Sequence, residues 1–167
     1  MTNPWLNADG LEVRFGNEQA EVAEGGKVST RSETQELVIT INGADVPSTD
    51  APIEKHVGVP QGALLESATL VVTTAFVGAT ADLDIGLMID DGDGTYSTLS
   101  DDGIDAAIDV LLLDAGDVIV ADGTLIGTVL ATQAAPNDKR QYVVSYGWQT
   151  AAFTDGVANL YIKYRQV

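Results

Sequence analysis

Leu64-Leu65-Glu66-Ser67-Ala68-Thr69-Leu70-Val71-Val72-Thr73-Thr74-Ala75-Phe76 is the stretch from which the rest of the chain is best read. Its second half is dense in Val and Thr, whose branched Cβ atoms crowd a helix but pack well on a pleated surface. The run predicts a long central β-strand. Near the other end of the chain, residues 157–165 alternate: Val157, Asn159, Tyr161, Lys163 and Arg165 fall to one side, Ala158, Leu160, Ile162 and Tyr164 to the other. Successive side chains of a strand point to opposite faces, so this alternation predicts a second strand.

Working outward, Leu11-Glu12-Val13-Arg14-Phe15-Gly16 also alternates and predicts a short strand. Residues 18–36 are polar and read as a loop or extended arm. Leu37-Val38-Ile39-Thr40-Ile41 predicts a strand closed by the turn signal Asn42-Gly43, and residues 45–52 a loop. Residues 53–59 predict an edge strand stopped by Pro60. Ala81-Asp82-Leu83-Asp84-Ile85-Gly86-Leu87-Met88-Ile89 sets Asp and Gly against Leu and Ile, the pattern of a strand with one wet face, and Asp90-Asp91-Gly92-Asp93-Gly94 then predicts a tight turn. Residues 104–111 predict the one short helix, since Ile104, Ala107, Ile108 and Leu111 fall at i, i+3, i+4 and i+7 behind the capping candidates Asp102 and Gly103. Residues 117–120, 125–132 and 141–148 predict further strands, with turns at Asp122-Gly123, Pro136-Asn137-Asp138 and Asp155-Gly156. Many short strands with one helix predict an all-β fold, an antiparallel sandwich or barrel. The expected division is an N-terminal arm, short strand and polar loop over residues 1–36, then one β-domain over residues 37–167.

The length of 167 residues suits one such domain, since a domain of roughly 150 residues hides about 70% of its unfolded surface. There is no Cys, which excludes disulfides, thiolate metal sites and a Cys nucleophile; the single His, His56, excludes multi-histidine metal centres. No N-terminal signal peptide and no long apolar span is evident, so a soluble protein made in a cytoplasm is expected. The formal charge is −17. Residues 41–138 hold 17 of the 25 acidic residues with Lys55 as their one base, whereas Lys139, Arg140, Lys163 and Arg165 place half of the 8 bases near the C-terminus. Binding phosphates requires Lys and Arg to displace counterions, so nucleic acid and anionic membrane are not expected partners. Solubility, or adaptation to salt, explains the acid excess as well as a specific partner does.

Candidates for chemistry are weak. Asp91, Asp93 and Asp102 match part of a calcium loop, but Gly94 stands at position four where that loop needs Gly at six. A hairpin turn with solvated aspartates is the simpler reading. Asp82 with Asp84, and Asp101 with Asp102, are carboxylate pairs that nothing places in a cleft, and the first pair is expected in water. His56 reads as a surface residue. Tyr142, Tyr146 and Trp148 could form a sugar platform, yet they share the parity of a core face. No phosphate loop, dinucleotide motif or nucleophile elbow is present. Catalytic residues, a cofactor and a metal site are therefore not expected.

The run Val59-Pro60-Gln61-Gly62-Ala63-Leu64 leading into the long strand, then Ala81-Asp82-Leu83-Asp84-Ile85-Gly86-Leu87, resembles tailed-phage virion structural proteins. Ala151-Ala152-Phe153-Thr154-Asp155-Gly156-Val157-Ala158-Asn159-Leu160-Tyr161-Ile162-Lys163-Tyr164 is similar as well. The resemblance covers roughly residues 59–167. It implies an antiparallel β-sandwich of jelly-roll type and a place in the virion, with a capsid decoration (cement) protein on the outer shell as the leading expectation. Its partners would then be the major capsid protein and two further copies in a homotrimer. Trp5, Leu6, Val13, Arg14 and Phe15 of the arm, with Lys139, Arg140, Lys163 and Arg165, are the expected shell or subunit contacts. A head-fibre, neck or tail-fibre module, or a carbohydrate-binding adhesion module using Trp148 and Tyr146, stays open.

Overall fold

The computed structural model describes residues 34–53, 57–79, 81–91, 94–131 and 141–167, together with the strand pairing of residues 5–6 and 12–13. The chain divides into two compact units, Met1–Ser32 and Glu33–Val167. In the first, β1 (Trp5–Leu6) pairs antiparallel with β2 (Glu12–Val13).

The second unit contains β3 (Gln35–Asn42), β4 (Ala51–Pro52), β5 (Gly58–Pro60), β6 (Ala63–Gly78), β7 (Asp82–Asp90), β8 (Tyr96–Ile108), β9 (Val118–Val120), β10 (Gln141–Gln149) and β11 (Phe153–Gln166). One sheet runs β3-β11-β6-β9; the other runs β4-β10-β7-β8, with β5 also on β10. Every pairing is antiparallel. The chain passes from one sheet to the other at each connection except β4 to β5 and the β7–β8 hairpin. Such crossings between two antiparallel sheets are those of a sandwich of jelly-roll type. The described helical turns are two short 3₁₀ segments, Gly43–Asp45 and Val110–Leu112.

The long strands form where the period-two pattern puts them. On β11, Ala158, Leu160 and Ile162 are fully buried, and Leu160 stands between Ile39 of β3 and Leu70 of β6. They meet Leu83, Ile85, Leu87, Tyr142 and Val144 of the other sheet in one apolar cluster. Each buried Leu, Ile and Val side chain gains about 1.5–3 kcal/mol from leaving water, which fixes the register because a one-residue slip would turn them all outward.

Four expectations are corrected. Residues 104–111 are not a helix: residues 104–108 finish β8 and the 3₁₀ turn follows. From Ile85 to Leu87, β7 advances two residues while its partner advances five, from Ser100 to Asp105. Those extra residues form bulges that break the strand period and imitate a helical one. Ala107, expected on an apolar helix face, is exposed with φ 50°. Second, residues 125–131 are no strand but a turn and a single bridge, Leu64 to Val129, with the Thr128 amide donating to the Leu125 carbonyl. Third, Asp155-Gly156 is not a turn between strands but lies inside β11, where register shifts take up the extra residues.

The fourth correction concerns β7. It has no wet face: Leu83 to Met88 are buried throughout, because β7 lies between β10 and β8 and the bulged part of β8 folds over its outer side. The Ser100 carbonyl and Asp101 backbone occupy the space in front of Gly86, where any larger residue would collide.

Candidate functional site

The sheet β3-β11-β6-β9 turns its other side outward. Residues opposite one another in an antiparallel ladder share a face, so the registers define rows across it. Val38, Tyr161, Thr69 and Val120 form one row, and Thr40, Asn159, Val71 and Val118 the next. Thr40 Oγ1 donates to Asn159 Oδ1 at 2.9 Å, knitting the second row. Val38, Val118 and Val120 are 50%, 57% and 71% exposed. These are strand-forming residues placed by parity, with nothing described in this unit packed over the three valines.

Charge sits at one end of this face and is of both signs. Lys163 of β11 stands opposite Glu36 of β3 and Ser67 of β6. Arg165 Nε lies 3.1 Å from Glu66 Oε1, a charge contact without hydrogen-bond alignment, and Glu66 Oε2 accepts from Thr34 Oγ1 at 2.9 Å. The strands of this sheet carry Glu36, Glu66 and Asp155 against Lys163 and Arg165. The strands of the other sheet carry Asp82, Asp84, Asp90, Asp101, Asp102 and Asp105 with neither Lys nor Arg. The sandwich is thus strongly polarised.

On the acidic side, Asp84 is only 6% exposed, contrary to the expectation that it sits in water. Its Oδ1 accepts from the Ala107 amide at 2.7 Å and its Oδ2 from the Gln149 side-chain amide. Asp50 lays its carboxylate where a side chain on Gly147 would project. Burial raises the Asp50 pKa above its ordinary value, and Asp101, Asp84 and Asp102 push it the same way. Asp105 is raised too, by burial first and by Asp122, against the Ala106 amide that donates to it at 2.9 Å. A carboxyl made more basic by burial is a property of general acids. Here, however, the Asp105 carboxylate is engaged with the Ala106 amide in the β8 bulge, which is a structural task, as is the contact of Asp84 with the Ala107 amide.

The remaining candidates fall as follows. Asp91 closes the turn after β7, its amide donating to the Thr95 carbonyl at 3.1 Å, and Asp102 Oδ1 accepts from Ser100 Oγ at 3.0 Å; Asp93 lies outside the described residues. Among the described residues no three His, Asp or Glu side chains are grouped to hold a metal ion. Tyr142 is in the core and donates from its hydroxyl to the Ala131 carbonyl at 2.6 Å. Tyr146 and Trp148 are half-buried and pack on the same core, so the three do not form an outward platform. Lys163 and Arg165 come together at the charged end of the outer face. His56, Arg14, Phe15, Lys139 and Arg140 lie outside the described residues, and Trp5, Leu6 and Val13 are described by strand pairing alone. The outer valine rows went unseen in the sequence because Val38, Val118 and Val120 become one surface only through the strand order; period-two parity at Val38 was the available signal.

No protein-family model matches the sequence, and no curated protein matches it. The fold does have counterparts. A chain in the capsid of Ralstonia phage GP4 superposes with a TM-score of 0.55 at 16% identity, over 89% of this chain and 94% of that one. A chain in the capsid asymmetric unit of cyanophage Pam1 superposes with a TM-score of 0.54 at 17% identity, again over 89% and 94%. At these identities the likeness is one of fold.

Proposed function

We propose that this chain is a non-catalytic structural protein of a tailed-phage virion, and more narrowly a decoration (cement) protein that binds the outer surface of the head as a homotrimer. The observation that carries the reading is the fold shared, over 89% of this chain, with chains of two phage capsids. Charge supports the outer position. A chain of −17 facing packaged nucleic acid would be repelled by its phosphates, whereas the outside of a shell imposes no such penalty. Three copies around a three-fold axis close into a ring without leaving an open interface.

The partner in this reading is the major capsid protein. Trp5, Leu6, Val13, Arg14 and Phe15 supply apolar and basic contacts from the N-terminal unit, and Lys139 and Arg140 supply further basic ones. Binding energy concentrates where such apolar anchors are fully covered. Lys163 and Arg165 contribute less, because Arg165 already lies 3.1 Å from Glu66 within the chain and Glu36 stands opposite Lys163 in the ladder.

The test is a density map of the intact particle that contains this protein. Trimeric density outside the shell is expected; density confined to the interior, neck or tail would overturn the assignment. Adding purified protein to undecorated shells tests the contacts. A variant lacking residues 2–10, and one with Lys139 and Arg140 changed to Glu, should each occupy fewer sites than the parent chain.

A further inference from the structure

The valine rows on the outside of the β3-β11-β6-β9 sheet are not among the contacts named above. They are apolar at three exposed positions, Val38 on one edge strand and Val118 and Val120 on the other, with Tyr161 and Val71 on the strands between them, and the strands of this sheet carry three acids against two bases. We propose that this face is where a second copy of the same chain seats. Charge selects that occupant. Two chains of −17 that approach through the aspartate-bearing sheet repel one another, while the valine face is the side of the sandwich on which that repulsion is weakest. A basic partner is drawn to the opposite sheet, whose strands carry Asp82, Asp90, Asp101 and Asp102 outside the core and no base, and leaves this face free. The charged end carries both signs, so that Lys163 of one chain can face Glu36 of the next.

Size sets the strength. With strands about 4.8 Å apart and a rise of about 3.3 Å per residue, the face spans roughly 20 by 20 Å. That is about half of the roughly 800 Å² that each partner buries in a standard interface. The association is therefore reversible and dilution-sensitive. It rests on the sandwich and its charges and not on the virion reading, so particle density elsewhere than on the head would leave it standing.

Sedimentation velocity of the full chain over a dilution series tests it, with Val38→Glu, Val120→Glu and a control, Leu112→Glu, at an 80%-exposed leucine in the 3₁₀ turn after β8. The parent chain and Leu112→Glu should associate with rising concentration. The two valine variants should associate more weakly by a factor of roughly ten or more, with unchanged circular-dichroism melting. Val38 and Val120 lie on opposite edge strands, so a failure of one variant to fold leaves the other to decide. A parent chain that stays monomeric up to submillimolar concentration overturns the proposal. So do valine variants that associate like the parent, or a Leu112→Glu variant impaired to the same degree.

Discussion

Gly156 lies directly against Phe76: a Cβ at position 156 would come within 2.6 Å of Phe76 Cγ and 2.7 Å of its Cα, and the glycine φ is +124°. Phe76 is held there by Phe153, whose ring meets it edge-on at 5.3 Å and 71°. The contact sits where β11 slips against β6, Asp155 facing Val77 while Val157 faces Thr74. Gly156→Ala should thus combine backbone strain of about 1–3 kcal/mol with overpacking of about 1–3 kcal/mol. A fall in the urea midpoint at unchanged slope is the expected result. An unchanged midpoint would show that the bulge relaxes freely.

That bulge also marks the boundary of what the amino-acid order reveals. β6 and the regular part of β11 are legible because Leu70, Leu160 and Ile162 obey one local period. Asp155-Gly156 looks like a turn because composition does not tell a turn from a bulge, both of which use glycine for the same backbone freedom. Residues 104–108 mislead in the same way. The bulges of β8 put Gly103, Ile104, Asp105 and Ile108 inside at spacings that no flat strand has. Asp84 reads as wet because its neighbours alternate, and what meets its carboxylate is Ala107 of β8 and Gln149 of β10, residues far off in sequence that reach β7 only after folding. Of the candidate site, Lys163 and Arg165 are legible as charges, but the placing of Glu36 opposite Lys163 and of Glu66 beside Arg165 is a matter of strand pairing.

Asp84 holds the β8 bulge through the Ala107 amide. Asp84→Ala removes the acceptor for that amide and for the Gln149 side chain, at a cost of about 1–3 kcal/mol for a buried donor left unpaired. Asp84→Asn keeps an oxygen for the Ala107 amide and should fall between the parent and the alanine variant. Hydrogen exchange at Ala107 provides a local readout: protection should drop most in the alanine variant. Equal protection in all three proteins would remove Asp84 from this role.

Ser145 is the reverse case. Its Oγ is buried and has no hydrogen-bond partner among the described residues. The hydroxyl therefore carries a desolvation cost with no return, so Ser145→Ala should be neutral or raise stability by up to about 1 kcal/mol. Thermal unfolding of the two proteins side by side decides it. A clear loss of stability would mean that the hydroxyl is bonded in solution.

Acidification should stabilise this protein at first. Burial, then Asp101, Asp84 and Asp102, raise Asp50 above its ordinary 3.8, and burial raises Asp105 above the same value. The native state thus binds more protons than the unfolded chain at pH values from 3.8 up through the raised values. Stability is greatest below that window and falls as pH rises through it. The melting temperature should rise as pH is lowered from neutral to mildly acidic, and Asp50→Asn should raise the neutral value and flatten the slope. A melting temperature that only falls on mild acidification, or an Asn variant with the parent slope, would contradict the sign.

Salt separates the two kinds of contact assigned to this chain. Copies that meet through the valine face approach as two bodies of like charge, so screening lowers the barrier between them and leaves the apolar contact intact. Screening at 1 M salt shortens the Debye length to about 3 Å, against about 10 Å at 0.1 M. Self-association, read by sedimentation, should therefore strengthen with added salt. Binding to a shell through Arg14, Lys139 and Arg140 would depend on opposite charges and should weaken under the same change. If salt instead dissolves the self-association, its energy comes from pairs such as Lys163 with Glu36 across the interface, and the valine rows are not its source.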